Sequence, residues 1–157
     1  MRRMFLSCMI VLLTVFAVTI CPRAEGSADI TLEQALAVVS AACAQAQNQG
    51  TLMDIAVVDA GANLKAFVWM DGAFLGCIDI SIKKAKTARF FNMSTGELGE
   101  LAQPGKPLYN IEFSNGGLIT FPGGLPLKDK SGNIIGDIGV SWSWFIRGKV
   151  FIQPQLP

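Results

Sequence analysis

Two short turn segments constrain the fold of this chain more than any other feature of its sequence. Asp59-Ala-Gly-Ala-Asn63 follows the apolar run from Met53 to Val58, and Asp129-Lys-Ser-Gly-Asn133 precedes the apolar run that begins at Ile134. Asp, Asn and Gly favour tight turns, because Asp and Asn side chains bond to the nearby backbone and Gly adopts positive φ. Short turns join antiparallel neighbours. The sequence therefore predicts two β-hairpins.

The apolar runs predict five strands. Helical patterns separate the first two strands from the last three, so the expected fold class is α+β, with helices packed on a five-stranded antiparallel sheet. The strands are predicted at Met53 to Val58, Leu64 to Met70, Leu118 to Phe121, Leu125 to Leu127 and Ile134 to Trp144.

Capping residues and apolar spacing predict three helices. Thr31 and Gln34 form a capping box that begins the first helix, which Gly50 ends near Gln49. The second helix is expected from near Gly76 to Phe91. A short third helix is expected after Ser94, through Leu101.

The first residues are different in kind from the rest. Met1-Arg2-Arg3 is basic, Met4 to Ile20 is almost entirely apolar, and small residues follow up to Ala28. This pattern is typical of a secretory signal peptide, so we assign residues 1–26 to a leader and 27–157 to a periplasmic or secreted domain. The alternative is a single membrane anchor, because the apolar run is near the lower limit for spanning. After leader removal, no membrane association is expected.

Composition excludes several classes of function. The 157 residues contain no His, so this chain builds neither a Ser-His-Asp triad nor a His-ligated haem site. Residues 27–157 contain ten Lys and Arg and eleven Asp and Glu, and this nearly neutral charge balance argues against nucleic acid as a partner. The two cysteines there, Cys43 and Cys77, are either a disulfide, which export permits, or two buried thiols on helices.

Several motifs together resemble the GlcG/HbpS family of haem-binding and corrinoid-associated domains. The first is Ile55-Ala-Val-Val-Asp-Ala-Gly-Ala-Asn-Leu64, and Asp79-Ile-Ser-Ile-Lys-Lys-Ala-Lys-Thr-Ala88 follows it in the expected order. Ser94-Thr-Gly-Glu-Leu98 and Gly136-Asp-Ile-Gly-Val-Ser141 complete the pattern. The resemblance implies a profilin-like or PAS-like sheet, self-association into oligomers, and binding of haem or a related tetrapyrrole by a sensor or carrier.

The resemblance also implies a site around the third helix. It places Thr95 at the haem iron, where a neutral hydroxyl would be a weak ligand; the alternative is that Thr95 caps the helix. Candidate neighbours are Met93, Tyr109 and Glu97, each of which packing, turn or cap roles also explain. A basic edge of the second helix suits haem propionates, unless it is simply a solvated face. Its members are Lys83, Lys84, Lys86 and Arg89.

Two functions follow from this pattern. The first is an exported binding protein with haem as cofactor, and the second is an oligomeric structural or interaction domain without a ligand. An enzyme is less expected, because Asp59, Asp71 and Glu97 form no recognisable catalytic set with a nucleophile. Residues 142–157 diverge from the family, in which a final amphipathic helix is usual, and they leave open what covers the sheet.

Overall fold

The computed structural model describes residues 29–142, and the predicted leader and the tail from residue 143 lie outside this range. No helix in the described range is long and apolar enough to cross a membrane. The strands are β1 (Met53–Asp59), β2 (Leu64–Trp69), β3 (Gly124–Lys128) and β4 (Ile134–Trp142). The helices are α1 (Leu32–Asn48), α2 (Leu75–Phe91), α3 (Thr95–Leu101) and a 3-10 turn, Ile111–Phe113.

The four strands form one antiparallel sheet in the order β2-β1-β4-β3. Strand β1 is paired on both sides, with Ile55 opposite Val68 of β2 and Val140 of β4. Strand β4 pairs in turn with β3, where Leu125 lies opposite Ile138. The α+β class and the antiparallel pairing predicted from the hairpins are confirmed.

The prediction of a fifth strand at Leu118 to Phe121 was wrong. Its backbone donors bond outside the sheet: Leu118 N donates to Glu112 O at 3.0 Å, and Ile119 N donates to Thr87 Oγ1 at 3.1 Å. This segment is therefore a loop that crosses α2. An apolar run of four residues does not distinguish a strand from a packed loop, because the hydrophobic period of a strand is recognisable only over a longer segment.

Both hairpin turns are built in the same way. Asp59 Oδ1 accepts from the backbone N–H groups of Gly61 at 2.9 Å and Asn63 at 2.8 Å. Asp129 Oδ1 accepts from Ser131 at 2.8 Å and Asn133 at 2.9 Å. The shared pattern is Asp-x-x-x-Asn, in which the carboxylate holds the turn closed. Both predicted hairpins are confirmed.

Helix α1 covers one face of the sheet with an apolar stripe. Its predicted capping box is present, since Gln34 N donates to Thr31 Oγ1 at 3.2 Å and Thr31 N donates to Gln34 Oε1 at 2.9 Å. The stripe packs on alternate residues of β1 and β4, as expected for side chains that share one face of a sheet. The buried members of this core include Ala35, Val38, Val39, Ala42, Ala46, Met53, Ile55, Val57, Ile138 and Val140.

Helix α2 lies on the opposite face, unusually close to β4. A Cβ at Gly139 would be 2.0 Å from Ser81 O and 2.5 Å from Ala85 N, so only glycine allows this approach. Gly139 thus sets the distance between the helix and the sheet.

The interface between α2 and the sheet contains buried polar groups. The carboxylates of Asp54 and Asp137 are fully buried and accept no hydrogen bond from any residue of the described range. Arg89 Nε lies 4.0 Å from Asp137 Oδ2 but donates to Ala60 O at 2.6 Å. Burial raises the pKa of Asp137 to about 8, although the Arg89 charge opposes this shift.

The two cysteines of the described range are unpaired thiols. Cys43 is half-buried on α1 and Cys77 is buried on α2. The two helices pack on opposite faces of the sheet. The alternative of two free thiols on helices, rather than a disulfide, is confirmed, but only Cys77 is buried as that alternative had it.

We expect Gly139→Ala to destabilise the fold by about 3 kcal/mol or more, since its Cβ would meet helix backbone that cannot move aside locally. Urea denaturation followed by circular dichroism measures the change. Gly76→Ala is the matched control, because Gly76 lies in α2 with open space around it, and this substitution should stabilise by up to about 1 kcal/mol. Equal effects of the two substitutions would contradict the close-approach argument.

We expect the free energy of unfolding to fall as pH rises from about 4 to about 8. The raised pKa of Asp137 means that the native state retains a proton that the unfolded chain has already released, so each step in pH over this window favours unfolding. Asp137→Asn should remove much of this slope and stabilise the protein at pH 8 by a few kcal/mol, with little effect at pH 4. Urea midpoints across this range test it, with exposed Asp71→Asn as the control; an unchanged slope would contradict the assignment.

Candidate functional site

An apolar groove opens beside the first residues of β3, on the sheet face that also carries α1. Its cavity volume is about 110 Å³. One wall comes from the sheet, and the other comes from the start of α3 and the turn before β3. The residues that line this β3 groove are Ser94, Gly96, Pro122, Gly123, Leu125, Ile138 and Val140.

The groove presents almost no free polar side chain. Among its lining residues only Ser94 has a polar side chain, and the Ser94 hydroxyl accepts a hydrogen bond from Glu97 N at 3.1 Å. Leu125, Ile138 and Val140 supply branched apolar groups. The groove therefore suits an apolar molecule or the apolar edge of a larger one.

Thr95 lies between two lining residues, but its own side chain contacts β3. It is fully buried, and its Oγ1 accepts a hydrogen bond from Gly124 N at 2.9 Å. The alternative that Thr95 caps α3 was wrong, because Ser94 is the N-cap and completes a capping box with Glu97. The Thr95 hydroxyl instead ties α3 to the first residue of β3.

The two neighbours predicted beside Thr95 occupy different environments. Glu97 is exposed, and its carboxylate accepts from Ser94 N at 2.9 Å. Hydrogen bonds from Ser94 lower the Glu97 pKa, so this side chain is a carboxylate at neutral pH. Met93 is partly buried after the end of α2, and neither residue lines the groove.

One of the four basic residues of α2, Lys84, does not belong to an exposed edge. Lys83 Nζ pairs with Asp79 Oδ2 at 2.8 Å, and Lys86 is partly buried; neither lines the groove. The interpretation of Lys84 as part of a solvated face was wrong. Lys84 is 4% exposed, and its Nζ donates to Val140 O at 2.9 Å and lies 4.5 Å from the centre of the Phe121 ring.

The remaining candidates are not gathered around the groove. Asp59 and Asp71 lie at opposite ends of the β1–β2 hairpin, so they do not form a carboxylate set with Glu97. Tyr109 is 55% exposed. Within residues 29–142, no cluster of three or more His, Cys, Asp or Glu side chains is arranged to hold a metal ion.

The sequence reasoning missed the groove itself. Ile138 and Val140 were assigned to a strand, and both are buried in β4. The signal that was available is Pro122-Gly123-Gly124, where a proline and two glycines precede a short strand. It marks a turn, but only the packing of α3 shows that this turn leaves space.

Comparison with known proteins gives relatives that match most of the chain. An uncharacterised 15.0 kDa protein from the dhaT-dhaS intergenic region of Citrobacter freundii is 36% identical over 135 residues, which is 85% of this chain and 94% of that protein. The crystal structure of Klebsiella pneumoniae protein ORFY superposes with a TM-score of 0.71 at 33% identity, covering 77% of this chain and 83% of that one.

A third relative was solved with a ligand. The crystal structure of a PduOC:haem complex superposes with a TM-score of 0.69 at 30% identity, covering 74% of this chain and 84% of that one. Residues 30–141 also match the family described as haem degrading protein HbpS-like. This range spans the four strands up to Ser141 and the three helices, in the order that the sequence motifs indicated. The chain therefore belongs to the HbpS-like family.

Proposed function

We propose that this protein binds haem or a related tetrapyrrole. The observation that carries the proposal is the relative solved as a haem complex, which shares the fold over 74% of this chain at 30% identity. The family description, which names haem degradation, supports the same ligand class.

The β3 groove fits the ring of such a ligand better than its metal. Leu125, Ile138 and Val140 offer apolar contacts for the edge of a macrocycle. The volume of about 110 Å³ is below the roughly 300–1,000 Å³ of pockets that enclose drug-sized ligands. A tetrapyrrole would therefore enter by one edge, and the rest of the ring would be covered by solvent or by another copy of the chain.

The iron would be held weakly by this chain's own residues. No imidazole is available, because the sequence contains no His. Thr95 remains the candidate iron contact, with Met93 and Glu97 beside it, and Lys83 and Lys86 are the candidate partners of the propionates. The Thr95 hydroxyl accepts from Gly124 N with one lone pair, which leaves the other for a metal, but the residue is fully buried. A bound haem would report its own binding by its visible absorbance.

Weak binding suits a sensor or carrier, because a labile ligand is released when its free concentration falls. We also propose that the protein acts in the periplasm or after secretion, because residues 1–26 have the pattern of a secretory leader.

A ligand-free interaction domain is the second candidate. Large apolar side chains are exposed near the start of α2, among them Trp69 at 50%, Phe74 at 55% and Leu75 at 73%. Exposed apolar clusters of this kind favour association with another protein surface. Self-association of this chain would cover them.

A haem titration followed by absorbance spectroscopy tests the first proposal. We expect a saturable Soret shift, and we expect Leu125→Glu to weaken binding about tenfold or more, because it places a charge in the apolar groove. Leu64→Glu is the matched control, since Leu64 is 48% exposed on β2 at the far edge of the sheet, and it should leave binding unchanged.

Thr95→Val and Thr95→Ser separate an iron contact from a structural role. Valine removes the hydroxyl and its bond to Gly124 N, which should cost about 1–3 kcal/mol of stability, whereas serine retains it. A Soret position changed by valine but not by serine would support contact with the iron.

If the folded protein gave no saturable shift and light scattering showed a large assembly, the ligand-free domain would be the better account.

A further inference from the structure

We propose that the β3 groove selects tetrapyrroles by a pyrrole ring that has no acidic substituent, so that the carboxylates of a bound ligand stay outside the groove. The ligand class is therefore a tetrapyrrole with its carboxylates on one side of the ring, rather than one with a carboxylate on every pyrrole. This inference rests on the proposed tetrapyrrole binding and adds which part of the ligand the groove contacts.

The lining side chains of the groove include no cation that could pair with a carboxylate. Apart from Ser94, the lining residues are glycine, proline and branched apolar residues. The Ser94 hydroxyl, which already accepts from Glu97 N at 3.1 Å, offers one neutral donor. A carboxylate in the groove would therefore exchange its hydration shell for at most one neutral hydrogen bond from a side chain, which opposes its entry.

The start of α3 forms one wall of the groove, and an anion already lies beside it. Glu97 is exposed, is a carboxylate at neutral pH, and accepts from Ser94 N at 2.9 Å. This negative charge, next to a lining residue, repels a second carboxylate. It also offsets the attraction that the N–H groups at the start of the helix would exert on an anion.

Lys84 lies behind the wall of the groove rather than in it. Its Nζ donates to Val140 O at 2.9 Å, and a Cβ at Gly123 would lie only 2.7 Å from Nζ, so the backbone of these two lining residues packs against the ammonium. Lys84 is 4% exposed. The wall therefore prevents a direct ion pair between Lys84 and a ligand, and the charge of Glu97 opposes its longer-range attraction.

The size of the groove limits the selection to one part of the ligand. A cavity of about 110 Å³ is below the roughly 300–1,000 Å³ of pockets that enclose drug-sized ligands, so only part of a macrocycle enters. Carboxylates on the far side of the ring remain hydrated and do not oppose binding. A carboxylate on the entering pyrrole loses water without gaining a cation, so the groove discriminates at that ring.

Metal-free porphyrins test this selection, because their fluorescence reports binding without an iron contact. Protoporphyrin IX has pyrroles without carboxylates, whereas coproporphyrin III has a propionate on every pyrrole. We expect the protein to bind protoporphyrin IX at least about tenfold more tightly than coproporphyrin III at neutral pH. Equal affinities, or binding of haem but of neither porphyrin, would overturn the selection and leave tetrapyrrole binding in place. If the folded protein bound none of the three, both proposals would fail.

Leu125→Lys tests whether the preference arises in the groove, since protoporphyrin IX is also the more apolar of the two porphyrins. Leu125 is a partly buried lining residue, and a lysine there supplies the missing cation. We expect the ratio of the two affinities to fall about tenfold, mainly through tighter binding of coproporphyrin III. Leu64→Lys is the matched control, because Leu64 is 48% exposed on β2 at the far edge of the sheet, and it should leave the ratio unchanged. An unchanged ratio in Leu125→Lys, with the native circular dichroism spectrum retained, would place the preference outside the groove and overturn the inference.

Discussion

The close contact between α2 and β4 is the constraint on which the rest of the structure depends. Gly139 has no side chain, so the helix backbone lies directly against the strand, and the facing helix positions carry small residues such as Ser81 and Ala85. A long side chain on α2 between Ser81 and Ala85 has no room to extend directly toward the sheet. Lys84 therefore reaches the β3 side, where the ladder ends, and its Nζ satisfies the carbonyl of Val140. The helix contact thus determines where the one buried lysine of the described range places its charge.

The two faces of the sheet differ in chemistry as a consequence. The α1 face is a continuous apolar core, which tolerates an open end because apolar groove walls leave no polar group unsatisfied. The α2 face contains Asp54 and Asp137, whose buried carboxylates accept no hydrogen bond from the described residues. Isolated buried charges are costly, and burial raises the pKa of both side chains, that of Asp137 to about 8, so Asp137 retains its proton at neutral pH. The two buried carboxylates therefore lie on one side of the sheet, and the groove opens on the other.

The sequence predicted the local elements well and the site poorly, for physical reasons. Hairpin turns and helix caps depend on residues close in sequence, so the Asp59 turn and the Thr31 capping box could both be predicted. Helix α1 begins after Thr31 and ends next to Gln49, as its capping residues indicated. The burial of Lys84 depends on residues far along the chain, because its partner Val140 is 56 positions away. The groove likewise depends on how α3 meets β3. The family resemblance named the neighbourhood of Thr95, but it did not show that Thr95 itself faces Gly124 rather than the groove.

The bond between Thr95 and Gly124 explains how this residue could influence a ligand without touching it. Ser94 and Gly96 form one wall of the β3 groove, and Thr95 lies between them. Its hydroxyl fixes α3 to the first residue of β3, immediately after Gly123, which forms another part of the groove. Loss of that bond would free two walls to separate, and a groove that gains its affinity from apolar contact weakens when its walls move apart. An effect of Thr95 on binding is therefore evidence about the groove first, and about a metal contact only when the spectrum of the bound ligand changes as well.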